Sequence, residues 1–479
     1  MTLTKPDITP SLTGKWKSYP AYKDSGVEWL GKIPEHWEVR RLQFDCKINP
    51  KGDSLNLPGE MEVSFLPMEC IGEDGRLSLE KTRTIEQVRQ GYTYFQDEDV
   101  ILAKITPCFE NGKGALCQGL LNGIGFGTTE LHILRANEET YPKFIYYLTK
   151  SDPFQKIGAA MMYGAAGQKR LPEEFIRDFP VSTPPLPEQH AIAAFLDRET
   201  AKINALIAKK ERLVELLQEK RAALISQAVT KGLDPTVPMK DSDIEWLGEI
   251  PAHWEASLVK RVARIRYGLG QPPAELDEGK PLIRATNVKS GRVVSEGMLY
   301  IDPKDIPPGK NAELSEGEII VVRSGAYTGD SAIITKQFEG AIAGYDMVVT
   351  VTKGYSPFIA WQILSKEIQE LQFGFYKLRA AQPHLNAEEL GGTIILIPPL
   401  AEQQAIATYL DHETARIDAL ISRIREGIEK LKEYSIALIS AAVTGKIDVR
   451  DDRTGANYGE ATGTDSRPSD LMNVDNRIG

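Results

Sequence analysis

Two sets of side chains in this sequence carry donors and acceptors suited to the edges of nucleic-acid bases, and they recur at matching distances. In the first half, Lys104, Thr106, Asn111 and Lys113 end or follow the strand-like run Glu98–Lys104, and Gln168, Lys169 and Arg170 follow the small residues Gly164-Ala165-Ala166-Gly167. In the second half, Arg323, Ser324, Tyr327 and Thr328 end or follow Gly317–Arg323, with Gln382 and His384 further on. Lys104 precedes Gln168 by 64 residues, and Arg323 precedes Gln382 by 59. Arg and Lys bond guanine O6 and N7, Gln bonds adenine, and hydroxyls or backbone amides suit phosphates. One such stretch is ordinarily just a solvated loop. Recurrence at matching positions brings a DNA-binding role level with that plainer reading.

Catalytic signatures are incomplete. Glu110-Asn111-Gly112-Lys113-Gly114 lacks the leading Gly and the Ser or Thr after Lys that a phosphate loop needs. Thr183-Pro184-Pro185-Leu186 has the prolines of a methyltransferase tetrapeptide without its Asn or Asp. Asp99 and Lys104 approach a metal-dependent nuclease pattern, but Leu102 stands where a second acid belongs. His36 and His253 belong to a repeated His-Trp pair, which points to framework rather than chemistry. Cys46, Cys70, Cys108 and Cys117 show no Cys-x-x-Cys spacing, so a zinc ribbon is excluded and a reducing cytoplasm is expected. The expectation is a chain that binds without catalysing.

The elements that must position these loops are duplicated. KDSGVEWLGKIPEHWEVRRL (23–42) and KDSDIEWLGEIPAHWEASLV (240–259) agree at 12 of 20 positions, and 184–230 agrees with 398–444 at 27 of 47. Such self-similarity marks two tandem copies of one unit. The copies share entrance and exit but diverge between them, as one scaffold carrying two reading surfaces would. Each exit is a long helix. Ile192, Leu196, Ile203, Leu206, Leu213, Leu217 and Leu224 form one apolar stripe, and Ile406, Leu410, Ile417, Leu420, Ile424, Leu431 and Leu438 form its twin. Each helix spans about 43 residues, or about 65 Å. A single stripe on so long a helix needs a partner, and the twin is the obvious one, in an antiparallel coiled coil. The middles read as mixed α/β, with strands at 100–105, 131–134, 319–322 and 347–351 and helices at 141–148 and 357–371. Trp29, Trp37, Trp246 and Trp254, identical between the two copies, are expected in the framework.

The 479 residues carry 57 Lys and Arg against 67 Asp and Glu, a net charge of −10. Any DNA surface must therefore be a local patch or share its charge with a partner. No run of about 18 apolar residues is present, so no membrane span is expected.

These same segments, with ILAKITPCFENGKGAL, GFGTTELHIL, MYGAAGQKRLPEEF and PPLPEQHAIAAFLDRETAKINALI, resemble the specificity (S) subunit of type I restriction–modification systems. The resemblance covers residues 15–446. It implies an α/β fold class with two tandem target recognition domains, each followed by a long conserved helix, the helices pairing with pseudo-two-fold symmetry. The implied boundaries are 1–185 and 233–399 for the recognition domains and 186–232 and 400–446 for the spacer helices; 447–479, with almost no apolar content, reads by itself as a disordered tail. The resemblance implies double-stranded DNA, two methyltransferase (M) subunits and restriction (R) subunits as partners. The chain itself would hold no cofactor, while S-adenosylmethionine, ATP and Mg would belong to those partners. The second copy departs from the pattern in lacking FENGKGA and in having Ala401 for Pro187. The rival reading is a stand-alone DNA-modifying enzyme with diverged motifs.

Overall fold

The computed structural model describes residues 16–51, 57–165, 167–271, 273–377 and 383–450. The chain divides into two compact units, one running to Ile207 and resuming at Ile428, the other spanning Ala208–Gly427. Both are built alike.

In the first unit a four-stranded antiparallel sheet has the order Cys46–Ile48, Leu131–Ala136, Asp99–Ala103, Gly114–Leu116. The second unit repeats it as Ala263–Tyr267, Met347–Val351, Ile319–Val321, Ser331–Ile333. Within the central strands Val100–Ala103 and Ile319–Val321 are buried apolar runs, because both faces of the sheet are covered there. Alternate residues point to opposite sides of a strand. Val100 and Leu102 join the core under the helices, while Ile101 joins a second core beneath a neighbouring sheet. In the second unit Ile319 and Val321 face one core and Ile320 and Val322 the other. That neighbouring sheet holds one parallel pair in each unit, Ile124–Gly127 on Glu62–Leu66 and Ile342–Ala343 on Lys280–Ile283. Two sequences that diverge almost completely thus keep one order in the central sheet, while the neighbouring sheet has four strands in the first unit and three in the second.

Helix Pro142–Thr149 lies over the first sheet and Ser356–Ile363 over the second. The single helix expected at 357–371 is interrupted after Ile363 and resumes at Glu367. The Gln369 side chain donates to the Ile363 carbonyl at 2.7 Å, taking an acceptor that an unbroken helix would have given to its own backbone.

The exits form helices Leu186–Lys231 and Leu400–Val443. They pair antiparallel: the first core joins Ile192, Leu196 and Ile203 to Leu438, Ile439 and Val443, and the second joins Ile225 and Val229 to Ile406 and Leu410. The register differs in part from the expected stripes. Leu206, Leu213 and Leu420 are exposed, and Ile207, Val214 and Ile421 are packed or buried beside them. The seam alternates steps of four and three (203, 207, 210, 214, 217 and 410, 414, 417, 421, 424, 428), as a coiled coil requires. Leu206 and Leu213 follow the same period one residue away. Lys210 sits in the seam, and Gly427 opposite leaves room for its Nζ.

The entrances lock onto these helices. Trp37 and Trp254 are fully buried, and Trp29 packs on Phe179 with ring centroids 5.2 Å apart. Glu188 accepts from the Trp37 indole at 3.0 Å, from Tyr19 at 2.6 Å, and lies 2.8 Å from His36 Nε2. In the second copy Glu402 lies 2.8 Å from His253 Nε2. Both histidines are thereby framework residues. Residues Ile447 and Val449, placed by sequence in the tail, are buried in the first core, and 451–479 lie outside the described residues.

Gly445 closes the second long helix at φ +70, and a Cβ there would stand 2.3 Å from Pro34 Cδ. Gly248 has a similar φ of +64 but open space around it. Gly248→Ala should cost about 1 kcal/mol from backbone strain alone, and Gly445→Ala a further 1–3 kcal/mol from the clash. Urea midpoints of the two variants check this; equal losses would show that Pro34 yields freely.

Candidate nucleic-acid interface

Each central strand has a fixed end and a free end. At the fixed end Asp99 is buried and accepts from Arg135 Nε at 2.8 Å, Nη2 at 2.7 Å and the Gln96 amide at 2.8 Å. Glu318 plays this part in the second unit, with Arg266 Nη2 at 2.7 Å and the Ser315 amide at 3.0 Å. Every oxygen of Asp99 is engaged by an internal partner, so this carboxylate has a structural role. Among the described residues no three His, Cys, Asp or Glu side chains are grouped to hold a metal ion.

At the other end the strand delivers Lys104 or Arg323 to the surface, and there the two predicted loops meet. The Leu171 amide donates to the Lys104 carbonyl at 2.7 Å, and the Leu385 amide to the Arg323 carbonyl at 2.8 Å. Bridges Ile105–Arg170 and Ser324–His384 extend the contact. Thr106 donates its hydroxyl to the Gly167 carbonyl at 2.7 Å and accepts from the Lys169 amide at 3.0 Å. Thr328, buried, donates to the carbonyls of Gly325 at 2.7 Å and Pro383 at 3.1 Å. In both units segments about 60 residues apart become one surface.

The side chains sort into two groups. Thr106 and Thr328 fasten the loops together. Asn111 donates to Glu73 at 3.0 Å and Lys113 to the Met68 carbonyl at 3.3 Å, so both serve a neighbouring loop. Arg170 is held bidentate by Glu130 at 2.7 and 2.8 Å, and that bond keeps the Glu130 carboxyl below its ordinary range. Lys104, Gln168 and Lys169 have no side-chain partner among the described residues. Gln168–Arg170 forms an exposed hairpin with Tyr163–Ala165. In the second unit Tyr327 and His384 are exposed and Ser324 is half-buried; Gln382 lies outside the described residues.

Comparison with known proteins decides what these paired loops belong to. Residues 34–216 and 272–430 match the family described as type I restriction modification DNA specificity domain. The chain belongs to that family. It is 33% identical over 305 residues to the EcoEI specificity subunit of Escherichia coli, covering 63% of this chain and 47% of that protein. It is 43% identical over 179 residues to the Escherichia coli EcoAI specificity subunit, 37% of this chain and 30% of that one. The chain thus spans about half the length of EcoEI and less of EcoAI. Against the putative MjaX specificity subunit of Methanocaldococcus jannaschii it is 24% identical, covering 88% of this chain and 96% of that protein. A solved structure from a study of complex assembly and conformational transition of the type I R-M system matches with a TM-score of 0.67 at 17% identity, over 86% of this chain and 98% of that one. That match bears on the fold. Among the described residues no helix is long and apolar enough to cross a membrane.

The second specificity domain holds residues that sequence reasoning passed over. The Arg323 guanidinium lies 4.0 Å from the ring centroid of Tyr345 and 4.7 Å from that of Tyr267. Asp346 accepts from the Arg323 amide at 3.2 Å. Asp346 Oδ2 and Arg323 Nε are buried with no hydrogen-bond partner among the described residues. The available signal was an acid directly before an apolar strand in each copy, Glu130 before Leu131–Ala136 and Asp346 before Met347–Val351. Nothing in the spacing announced the tyrosines.

Burial pushes Asp346 up from 3.8 to about 6, against the opposing pull of Arg323. The folded specificity domain therefore binds this proton more tightly than the unfolded chain does. Stability from Asp346 is greatest below pH 4, falls as pH rises to about 6, and is level above. Two pH units correspond to on the order of 3 kcal/mol. Asp346→Asn should remove that slope from urea midpoints measured between pH 4 and 7; an unchanged slope would contradict the assignment.

Proposed function

We propose that this chain is the DNA-reading subunit of a type I restriction–modification complex and does no chemistry itself. Each unit reads one half of a split, asymmetric DNA site. The observation that supports this most is the paired-loop surface. It occurs once per unit, at the same end of the same strand, on the same sheet order, with different side chains. One framework with two unlike faces is what an asymmetric two-part target requires. The exposed strand pair Tyr163–Ala165 and Gln168–Arg170 suits the major groove, which admits a two-stranded ribbon.

Partners complete the reading. With a net charge of −10 the chain offers phosphate little attraction beyond local patches, and methyltransferase subunits would contribute further cations around the duplex. Those subunits would modify adenine N6 with S-adenosylmethionine, and restriction subunits would cut with ATP and Mg. The exposed Leu206, Leu213 and Leu420 on the long helices offer apolar footing for such partners.

Replacing residues 45–180 with the corresponding segment of another family member should change one half-site and leave the other as it was. Methylation mapping of the co-expressed complex reads this directly. A change in both halves would count against the proposal, as would DNA methylation or cleavage by the purified chain alone, which would favour a self-sufficient enzyme.

A further inference from the structure

We propose that Arg323 reads a guanine through its O6 and N7, making it the base-discriminating residue of the second unit. This rests on the DNA-reading function proposed above and goes beyond it in naming the residue, the base and the atoms.

Arg323 stands at the free end of strand Ile319–Val321, where the fold delivers a side chain to the paired-loop surface. Its guanidinium packs against two tyrosine rings at 4.0 and 4.7 Å, which fixes the plane of an otherwise mobile group. Tyr267 is itself held, accepting from the Ala387 amide at 2.8 Å. The terminal nitrogens have no hydrogen bond among the described residues, and Nε is turned inward. What is left for a ligand is a flat, oriented pair of donors. That shape matches the two acceptors on the major-groove edge of guanine.

A phosphate is the competing ligand for any exposed arginine, and two features speak against it here. The buried Asp346 carboxylate lies beside Arg323 and would repel a second full anion more strongly than the partial charges of a neutral base edge. A phosphate contact also gains little from a locked plane, since phosphate presents oxygens in several directions. The corresponding position in the first unit is Lys104, a point charge with no aromatic ring over it among the described residues. Bidentate guanine reading is therefore assigned to the second unit alone.

The test uses the full chain assembled with its methyltransferase partners and oligonucleotide duplexes carrying the mapped site. The half-site that survives the exchange of residues 45–180 belongs to the second unit. Each guanine there is replaced in turn by 7-deazaguanine, which lacks the N7 acceptor. The expected result is a fall in binding of roughly 10-fold or more at one position and little change at the others. Arg323→Lys, which keeps charge and most of the stem, should lose sensitivity at that same position and leave the other half-site intact. A second half-site without any G·C pair, or insensitivity to every replacement, overturns the assignment. So does Arg323→Ala weakening binding equally on all sequences with a salt slope lower by about one, the mark of a phosphate contact. No sequence-dependent methylation by the wild-type assembly would overturn the proposed function itself.

Discussion

Each unit depends on the dipeptide at which its long helix begins. Gln189 and Gln403 are buried, yet both ends of each amide are bonded. Gln189 accepts from the Tyr141 amide at 2.7 Å and donates to the Pro184 carbonyl at 2.9 Å; Gln403 accepts from Tyr355 at 2.8 Å and donates to Pro398 at 2.8 Å. The neighbouring Glu188 and Glu402 reach the opposite way, to the His-Trp entrances. One two-residue motif thus ties sheet, entrance and helix together. A buried polar group costs most when a partner is removed, so both copies retain the motif while the sequence around the paired loops drifts.

That division of labour explains the uneven similarity between the copies. The Asp99–Arg135 and Glu318–Arg266 pairs fix the inner end of the central strand with different residues in the same role. At the outer end the bonds that recur at matching positions are between backbone groups, Leu171 to Lys104 and Leu385 to Arg323, while the fastening threonines Thr106 and Thr328 sit at different places. Backbone bonds do not specify side chains. The loops can change their chemistry freely, which is how the first unit presents Lys104 with an open hairpin and the second an arginine clasped by tyrosines.

Much of this was legible in the sequence because it is periodic or repeated. The duplication, the long helices and the strands at 100–105 and 347–351 rest on patterns that local physics makes visible. The exposed Leu206 and Leu213 were misassigned because a leucine one residue off the seam has the same period as the seam itself. The loop residues were picked out as recurring sets, since the strand ends and the second loops matched in both copies; that the two loops of a unit meet shows only in the fold. Their roles were not, because Asn111, Lys113 and Thr328 are decided by partners distant in sequence, such as Glu73, Met68 and Pro383. The Tyr267–Arg323–Tyr345 cluster draws on three segments with no shared spacing, and only the folded chain brings them together.

The central claim is that one framework, used twice with unlike loops, reads two unlike DNA segments. Single-molecule mapping of methylated adenines in cells expressing this chain with its partner subunits tests it most directly. The expected result is one motif made of two different specified blocks separated by unspecified base pairs. A single uninterrupted block, or two halves related by two-fold symmetry, would contradict it.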